Sequence, residues 1–383
     1  MQLETVPGIN WQGRQITTVM ILKDGPLSND SVVLVPTFYL LHLAKTAPIN
    51  SLKAVASDLK RYFESLETGG RLWEDVSDDQ MSGYIETTLL NKHKLSKRSI
   101  TRHCIHIKGM YTHLSTSGFT DKFFDHSFRY LDENSFEEQG DTPPSENFRL
   151  RRKYINDPLF EILLEHASET SGFLRARNEL ILQLGHKLGL RSFEVTHARN
   201  LKLSDLKELL TLTTKANRLT CSMTIYGKRK KCRNVDIPPE LLEKISSFIV
   251  DYGKEIRGNN LICSSEGNLL SASFSCRMFK KIRDAALPKL KLKLTELHEQ
   301  DDTPYTISWN SIQRLTFHCL RHTYATNLVT YCYENGIDPY SYLPGQLGHA
   351  KYNTTKQYTN FQAAIYNRDK LRSRYSVEVN ELG

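Results

Sequence analysis

Residues 132–150, DENSFEEQGDTPPSENFRL, hold almost nothing that a folded core could bury. Acidic, polar and proline-containing, the stretch cannot offset the entropy of ordering itself and reads as a linker. It divides the chain into two bodies. With 383 residues, each side is long enough to bury a core of its own. The expected layout is an N-terminal arm or short strands over 1–35, a helical domain over 36–131, the linker, and a second domain over 151–383 with a C-terminal tail.

Within 1–35, the β-branched patches ITTVMIL and SVVLVP suggest one or two strands or an extended arm. From residue 36 the pattern turns helical. FYLLHLAKTA is followed by Leu52, Val55, Leu59, Tyr62, Phe63 and Leu66 at spacings of three and four, with Gly69 and Gly70 as the stop. Further helices are expected over 77–91 and 96–114, the latter with Ile100, Cys104, Ile107 and Tyr111 on one face. Lys92, Lys94, Lys97, Arg98, Arg102 and Lys108 lie on or beside it, a pattern that by itself describes a solvated helix face.

In the second domain, 158–169 and 175–188 read as helices, and LTCSMTIYG and CRNVDIP as strands joined by KRKK. PPELLEKISSFIVDYG, SASFSCRMFKKIRDAAL and RLTFHCLRHTYATNLVTYCYENG complete the helical set. The fold class is mainly α with one small β-sheet, an α+β chain without internal repeats.

A net charge of +8 and a pI near 9.0 favour a polyanionic partner, since Lys and Arg that neutralise phosphates release counterions. Seven scattered cysteines, never spaced as CxxC, indicate neither a disulfide framework nor a zinc site. No apolar run is long enough to cross a bilayer, and the first residues lack a secretory signal, so the expected location is the cytoplasm, with no membrane partner.

Chemistry concentrates in four segments. TFHCLRHTYAT sets His318 and Arg321 three apart on a helix, on one face. A guanidinium is permanently charged and can grip two phosphate oxygens, so this pair suits a phosphodiester that gains charge during attack. Alone, a His and an Arg on a helix more often meet solvent. QLGHAKYNTTKQYTNF places His349 after a glycine turn and Tyr358 nine residues on, behind two threonines able to cap a short helix. Tyr358 could equally be a core ring beside Tyr352 and Phe361. HKLGLRSFEVTHA puts Arg191 just past a helix, three residues before Glu194, and TIYGKRKKCRNVDIP puts lysines in a strand turn, commonly a solvated place.

Taken in order, GLRSFE, YGKRKKCRNVDIP, HCLRHTYAT and LGHAKYNTTKQYT resemble the tyrosine recombinase or phage integrase family over about 170 residues. The resemblance implies a two-domain, C-shaped clamp made of a helical core-binding domain and a catalytic domain. It implies Tyr358 as the nucleophile, Arg191 and Arg321 on the non-bridging phosphate oxygens, and Glu194 as the buttress of Arg191. His318 would help accept the tyrosine's proton, and His349 would bond to the phosphate or orient its neighbours. Lys228 would protonate the leaving 5′-hydroxyl, although a hairpin register shifted by two would pass that role to Lys230 or Lys231. Lys230, Lys231, Arg233, Lys97, Arg98 and Arg102 are the implied DNA contacts.

Such a scheme calls for no cofactor, metal or ATP, because two guanidiniums neutralise the phosphate and a 3′-phosphotyrosyl link keeps the energy for religation. The implied partners are double-stranded DNA, further copies of the chain as a tetramer on two sites, and accessory proteins. The implied function is site-specific recombination that integrates or excises a mobile element. The tail after Tyr358 would dock on a neighbour or fold back on its own domain. Two features depart from the family pattern: a longer stretch over 285–315, and Pro344 and Gly345 where a short unbroken helix is usual. A type IB topoisomerase shares this chemistry, and a DNA-binding regulator that no longer cuts would share the fold.

Overall fold

The computed structural model describes residues 1–25, 31–122, 124, 128, 150, 152–167, 169, 171–215, 221–227, 231–299, 307–348 and 354–363. The chain divides into two compact units, Met1–Asp141 and Thr142–Gly383. Helices dominate both, and each contains one two-stranded antiparallel sheet, so there are two small sheets among the described residues where one was expected.

The extra sheet is an N-terminal hairpin of β1 (Gln2–Trp11) and β2 (Arg14–Leu22). Gln12 and Gly13 both take positive φ, 48° and 74°, as a two-residue turn matched to strand twist requires. The patch ITTVMIL lies in β2, whose Val19 and Ile21 enter the core. Its partner β1 is mostly exposed and carries no alternating apolar signature, which is why the sequence conceals it. SVVLVP is not a strand, because Leu34 opens α1 (Leu34–Leu43) and Pro36 sits in the first helical turn, where its missing N–H costs nothing. Helix α1 docks on β2 through Thr18 Oγ1, which donates to the Leu40 carbonyl at 3.2 Å, and Thr37 Oγ1, which accepts from the Ile21 amide at 3.3 Å.

Helix α2 (Ile49–Thr68) buries Leu52, Val55, Leu59, Tyr62, Phe63 and Leu66, the stripe its spacing predicts. Helix α3 (Asp78–Gly83) starts with a Ser77–Gln80 capping box and continues as π-helical turns over Tyr84–Lys92. Helix α4 (Lys97–Thr116), capped by Ser96, packs on α2. The two helices are also joined by a buried carboxylate. Asp58 accepts from Arg102 Nε and Nη2, from His106 Nδ1 and from His103 Nε2, all at 2.8 Å. Burial by itself would raise the Asp58 carboxyl, and these partners instead hold it far below the usual carboxylate range.

The second unit begins with α5 (Asp157–Glu165) and α6 (Gly172–Leu188), followed by the single turn α7 (Ser192–Val195) and α8 (Leu203–Lys215). Strands β3 (Cys221–Tyr226) and β4 (Cys232–Ile237) pair with Tyr226 opposite Cys232, and α9 (Pro239–Tyr252) follows. Helix α10 (Phe274–Glu299) runs through Pro288 rather than ending before it, so much of the long 285–315 stretch is helix. Its buried stripe of Phe279, Ile282, Ala286, Leu290, Leu294 and Leu297 continues across the proline, and that burial outweighs one lost hydrogen bond. The unit then turns through α11 (Trp309–Ile312), α12 (Phe317–Glu334), α13 (Pro339–Leu347) and α14 over 354–363. Helix α13 is continuous through Pro344, contrary to the break its sequence suggested.

Candidate active site

Two chain reversals set the frame. Helix α6 ends at Gly189, whose φ is +60°, and a Cβ there would stand 2.4 Å from the Tyr324 ring on α12. Only glycine meets both conditions. The reversal releases Arg191 at the start of α7, and it also aims the Gly189 carbonyl at Arg321, whose Nη1 donates to it at 2.6 Å. The second reversal is Gly348, φ +65°, at the end of α13, beside the Leu347 carbonyl that accepts from Arg321 Nη2. Arg321 is thus fixed by two helix ends and is 2% exposed. Burial, and then the nearby guanidiniums of Arg191 and Arg233, push it down to about 9, so it stays charged at neutral pH.

Arg191 is held by Glu194, as the three-residue spacing suggested. Glu194 Oε2 accepts from the Arg191 amide at 2.9 Å and Oε1 from Nη1 at 2.8 Å. The fully buried carboxylate has a second, unforeseen partner. Arg233 on β4 donates Nη1 and Nη2 to its two oxygens, each at 2.9 Å, and Nε to the Gln346 carbonyl at 2.8 Å. Expected among the DNA contacts, Arg233 is instead turned inward, because a buried carboxylate shared with Arg191 needs a bidentate partner. Gln346 in turn exchanges bonds with Asp236, accepting from its amide at 3.0 Å and donating to its carboxylate at 2.7 Å. Asn200 ties α7 to β3, donating to the Glu194 and Tyr226 carbonyls and accepting from the Tyr226 amide.

Burial would raise Glu194, but the bonds and charge of Arg233, then those of Arg191, bring it down to about 2. A carboxylate lowered in the folded state stabilises the fold above its unfolded value. Here that contribution, roughly 3 kcal/mol at neutral pH, is lost as pH falls from about 4.5 towards about 2. Denaturant midpoints of the full chain measured across this window should therefore fall steeply for the wild type and more shallowly for Glu194→Gln. Parallel curves would sink this account.

Helix α12 presents His318, Arg321 and His322 in its first turns. His318 is exposed, yet the protein around it, and then Arg321, Arg191 and Lys153, push its imidazole down to about 4, leaving it neutral at pH 7. His322 was not anticipated. Its Nδ1 lies 2.8 Å from the Tyr358 hydroxyl, and its ring stands edge-on to His318 with centroids 4.7 Å apart. The signal was in the sequence, since residues 318 and 322 share a helix face.

Tyr358, on α14, is 3% exposed and packs in a cluster with Tyr324, Val329, Leu343, Leu347 and Phe361. Burial pushes its phenol up to about 12 against the opposing pull of Arg321 and Arg191. The structure therefore brings Arg191, Glu194, His318, Arg321 and Tyr358 together, and adds Arg233 and His322. His349, Lys228 and Lys230 lie outside the described residues. Lys231 is exposed at the hairpin end, where its carbonyl accepts from the Gly227 amide at 2.7 Å. Lys97 and Arg98 are exposed at the start of α4, whereas Arg102 beside them holds Asp58. Among the described residues, no three His, Cys, Asp or Glu side chains gather as metal ligands would, and no helix is long and apolar enough to cross a membrane.

A buried arginine and a half-buried one beside a buried phenol are an arrangement for an oxyanion and a nucleophile, and the family to which comparison with known proteins points uses such groups. The profile of the "Phage integrase family" matches residues 160–364. A tyrosine recombinase of Pseudothermotoga lettingae is 24% identical over 320 residues, covering 84% of this chain and 90% of that protein. Tyrosine recombinase XerD of Oceanobacillus iheyensis is 24% identical over 334 residues, covering 85% and 93%. Among solved structures, the XerH site-specific recombinase bound to palindromic difH substrate in a post-cleavage complex superposes with a TM-score of 0.57 at 18% identity, covering 87% of this chain and 81% of that one. With more than half of its length matched by one family profile, the chain belongs to the tyrosine recombinase, or phage integrase, family.

Proposed function

We propose that the protein is a site-specific DNA recombinase that cuts and rejoins strands through a 3′-phosphotyrosyl intermediate on Tyr358. The observation that carries the reading is the Tyr358 hydroxyl, buried against His322 within the electrostatic reach of two guanidiniums. Arg191 and Arg321 neutralise the charge that grows on the non-bridging oxygens, and both are positioned in advance, by Glu194 and by two backbone carbonyls respectively. Lys228 serves as the acid for the departing 5′-hydroxyl, and His349 bonds to the phosphate. His318, neutral beside both arginines, adds a hydrogen-bonding group at the same centre.

Lys97, Arg98, Lys230 and Lys231 carry duplex contacts in this reading. The working assembly is four copies on two DNA sites, and the exchange inserts or removes a mobile element. The stretch around 285–315, longer than a minimal member of the family needs, supports that assignment.

The test is a suicide duplex, nicked near the cleavage position so that the cut fragment diffuses away, incubated with wild-type protein in EDTA. The expected outcome is a protein–DNA band that survives denaturation. Tight binding to candidate sites with no such band on any of them would instead favour a regulator that binds and does not cut.

A further inference from the structure

We propose that His322, rather than His318, takes the proton from Tyr358 as its oxygen attacks phosphorus. The inference rests on the recombinase reading and assigns one step within it. Both imidazoles project from the start of α12, one turn apart and edge to face. The one in hydrogen-bond contact with the nucleophile is His322, with Nδ1 at 2.8 Å from the hydroxyl and ring centroids 5.9 Å apart. That is the reach a general base needs.

A phenol pushed up to about 12 keeps its proton at neutral pH, so attack has to proceed with proton removal. With the phenol donating, His322 is the Nε2–H tautomer and its Nδ1 lone pair lies on the proton to be removed. The step balances. The Tyr358 oxygen–phosphorus bond forms as the bond to the 5′ oxygen breaks, the phenolic proton passes to Nδ1, and the 5′ oxygen takes its proton from Lys228. Religation reverses each transfer, with the His322 imidazolium returning its proton to the tyrosine. His318, the more exposed of the two on that helix face and flanked by Arg191, Arg321 and Lys153, is left to face the phosphate.

The test is single-turnover cleavage of the suicide duplex by wild type, His322→Ala, His322→Gln and His318→Ala. His322→Ala is expected to bind DNA normally and to cut about 10²–10⁴-fold more slowly, the range typical of a lost general base. Added imidazole should restore part of that rate, more effectively with more basic substituted imidazoles, and should not restore His318→Ala. His322→Gln can still accept the tyrosine's hydrogen bond but not its proton, so it should fold and lose the same factor even if the alanine variant does not fold. The assignment is overturned if either His322 variant cuts within about threefold of wild type, or if a folded His322→Ala gains nothing from any imidazole. A wild type that cuts normally alongside such a variant would sink only this assignment, whereas a wild type that never cuts would sink the recombinase reading with it.

Discussion

Tyr358→Phe is expected to bind the duplex as tightly as the wild type and to form no covalent adduct at all. The ring stays in its apolar cluster, so packing against Leu343, Leu347 and Phe361 is kept. What is lost is one hydroxyl and its bond to His322. The stability cost should be about 1 kcal/mol, the usual worth of such a bond. The chemical cost is total, because no neighbouring atom can replace the nucleophilic oxygen in the same place. A mobility-shift assay and a denaturing gel on one suicide substrate read both halves. An adduct that persists in the variant would mean that another side chain attacks, and the site as drawn would be wrong.

Arg321→Met is expected to cut at least about 10³-fold more slowly, the loss that follows removal of a preorganised oxyanion contact. Its effect on folding should run the other way from intuition. A buried cation that burial and two neighbouring guanidiniums push down to about 9 is held in the folded state at a cost. Replacing it with an apolar side chain of similar length removes that cost, and offsetting it are the bonds to the Gly189 and Leu347 carbonyls. The variant should match the wild type in denaturant unfolding to within about 1 kcal/mol, or exceed it. A loss of several kcal/mol would show that Arg321 is chiefly a structural clamp. The wild type, by the same argument, should gain stability when a phosphate group enters the site and neutralises the charges of Arg191 and Arg321.

Local rules carried the sequence a long way. Spacings of three and four exposed the buried stripes of α2 and α4, and short-range offsets paired Arg191 with Glu194 and set His318 beside Arg321. What escaped was decided by contacts between distant segments. Nothing near Arg233 reveals that its partner is a carboxylate 39 residues earlier, and in the sequence alone it looks like one more cation in a basic hairpin. Strand β1 escaped because its side chains face outward and leave no periodic trace. The half of helix α10 beyond Pro288 escaped because a proline is a local stop signal, while the Leu290, Leu294 and Leu297 burial that overrides it is tertiary. His322 is legible in the sequence, one helical turn from His318 on the same face, but only the fold brings Tyr358, 36 residues on, against it.

The β3–β4 hairpin is pinned along its strands as far as the two residues that flank its turn. Arg233 and Asp236 bind β4 to Glu194 and Gln346, Asn200 holds Tyr226, and the ladder closes at Gly227 and Lys231. Residues added or deleted between those last two would change the reach of the turn without sliding either strand. Lengthening that turn by one or two residues is therefore an engineering handle. On the proposed recombinase reading it would vary the reach of the catalytic lysine while leaving the arginines, and the fold that holds them, where they are.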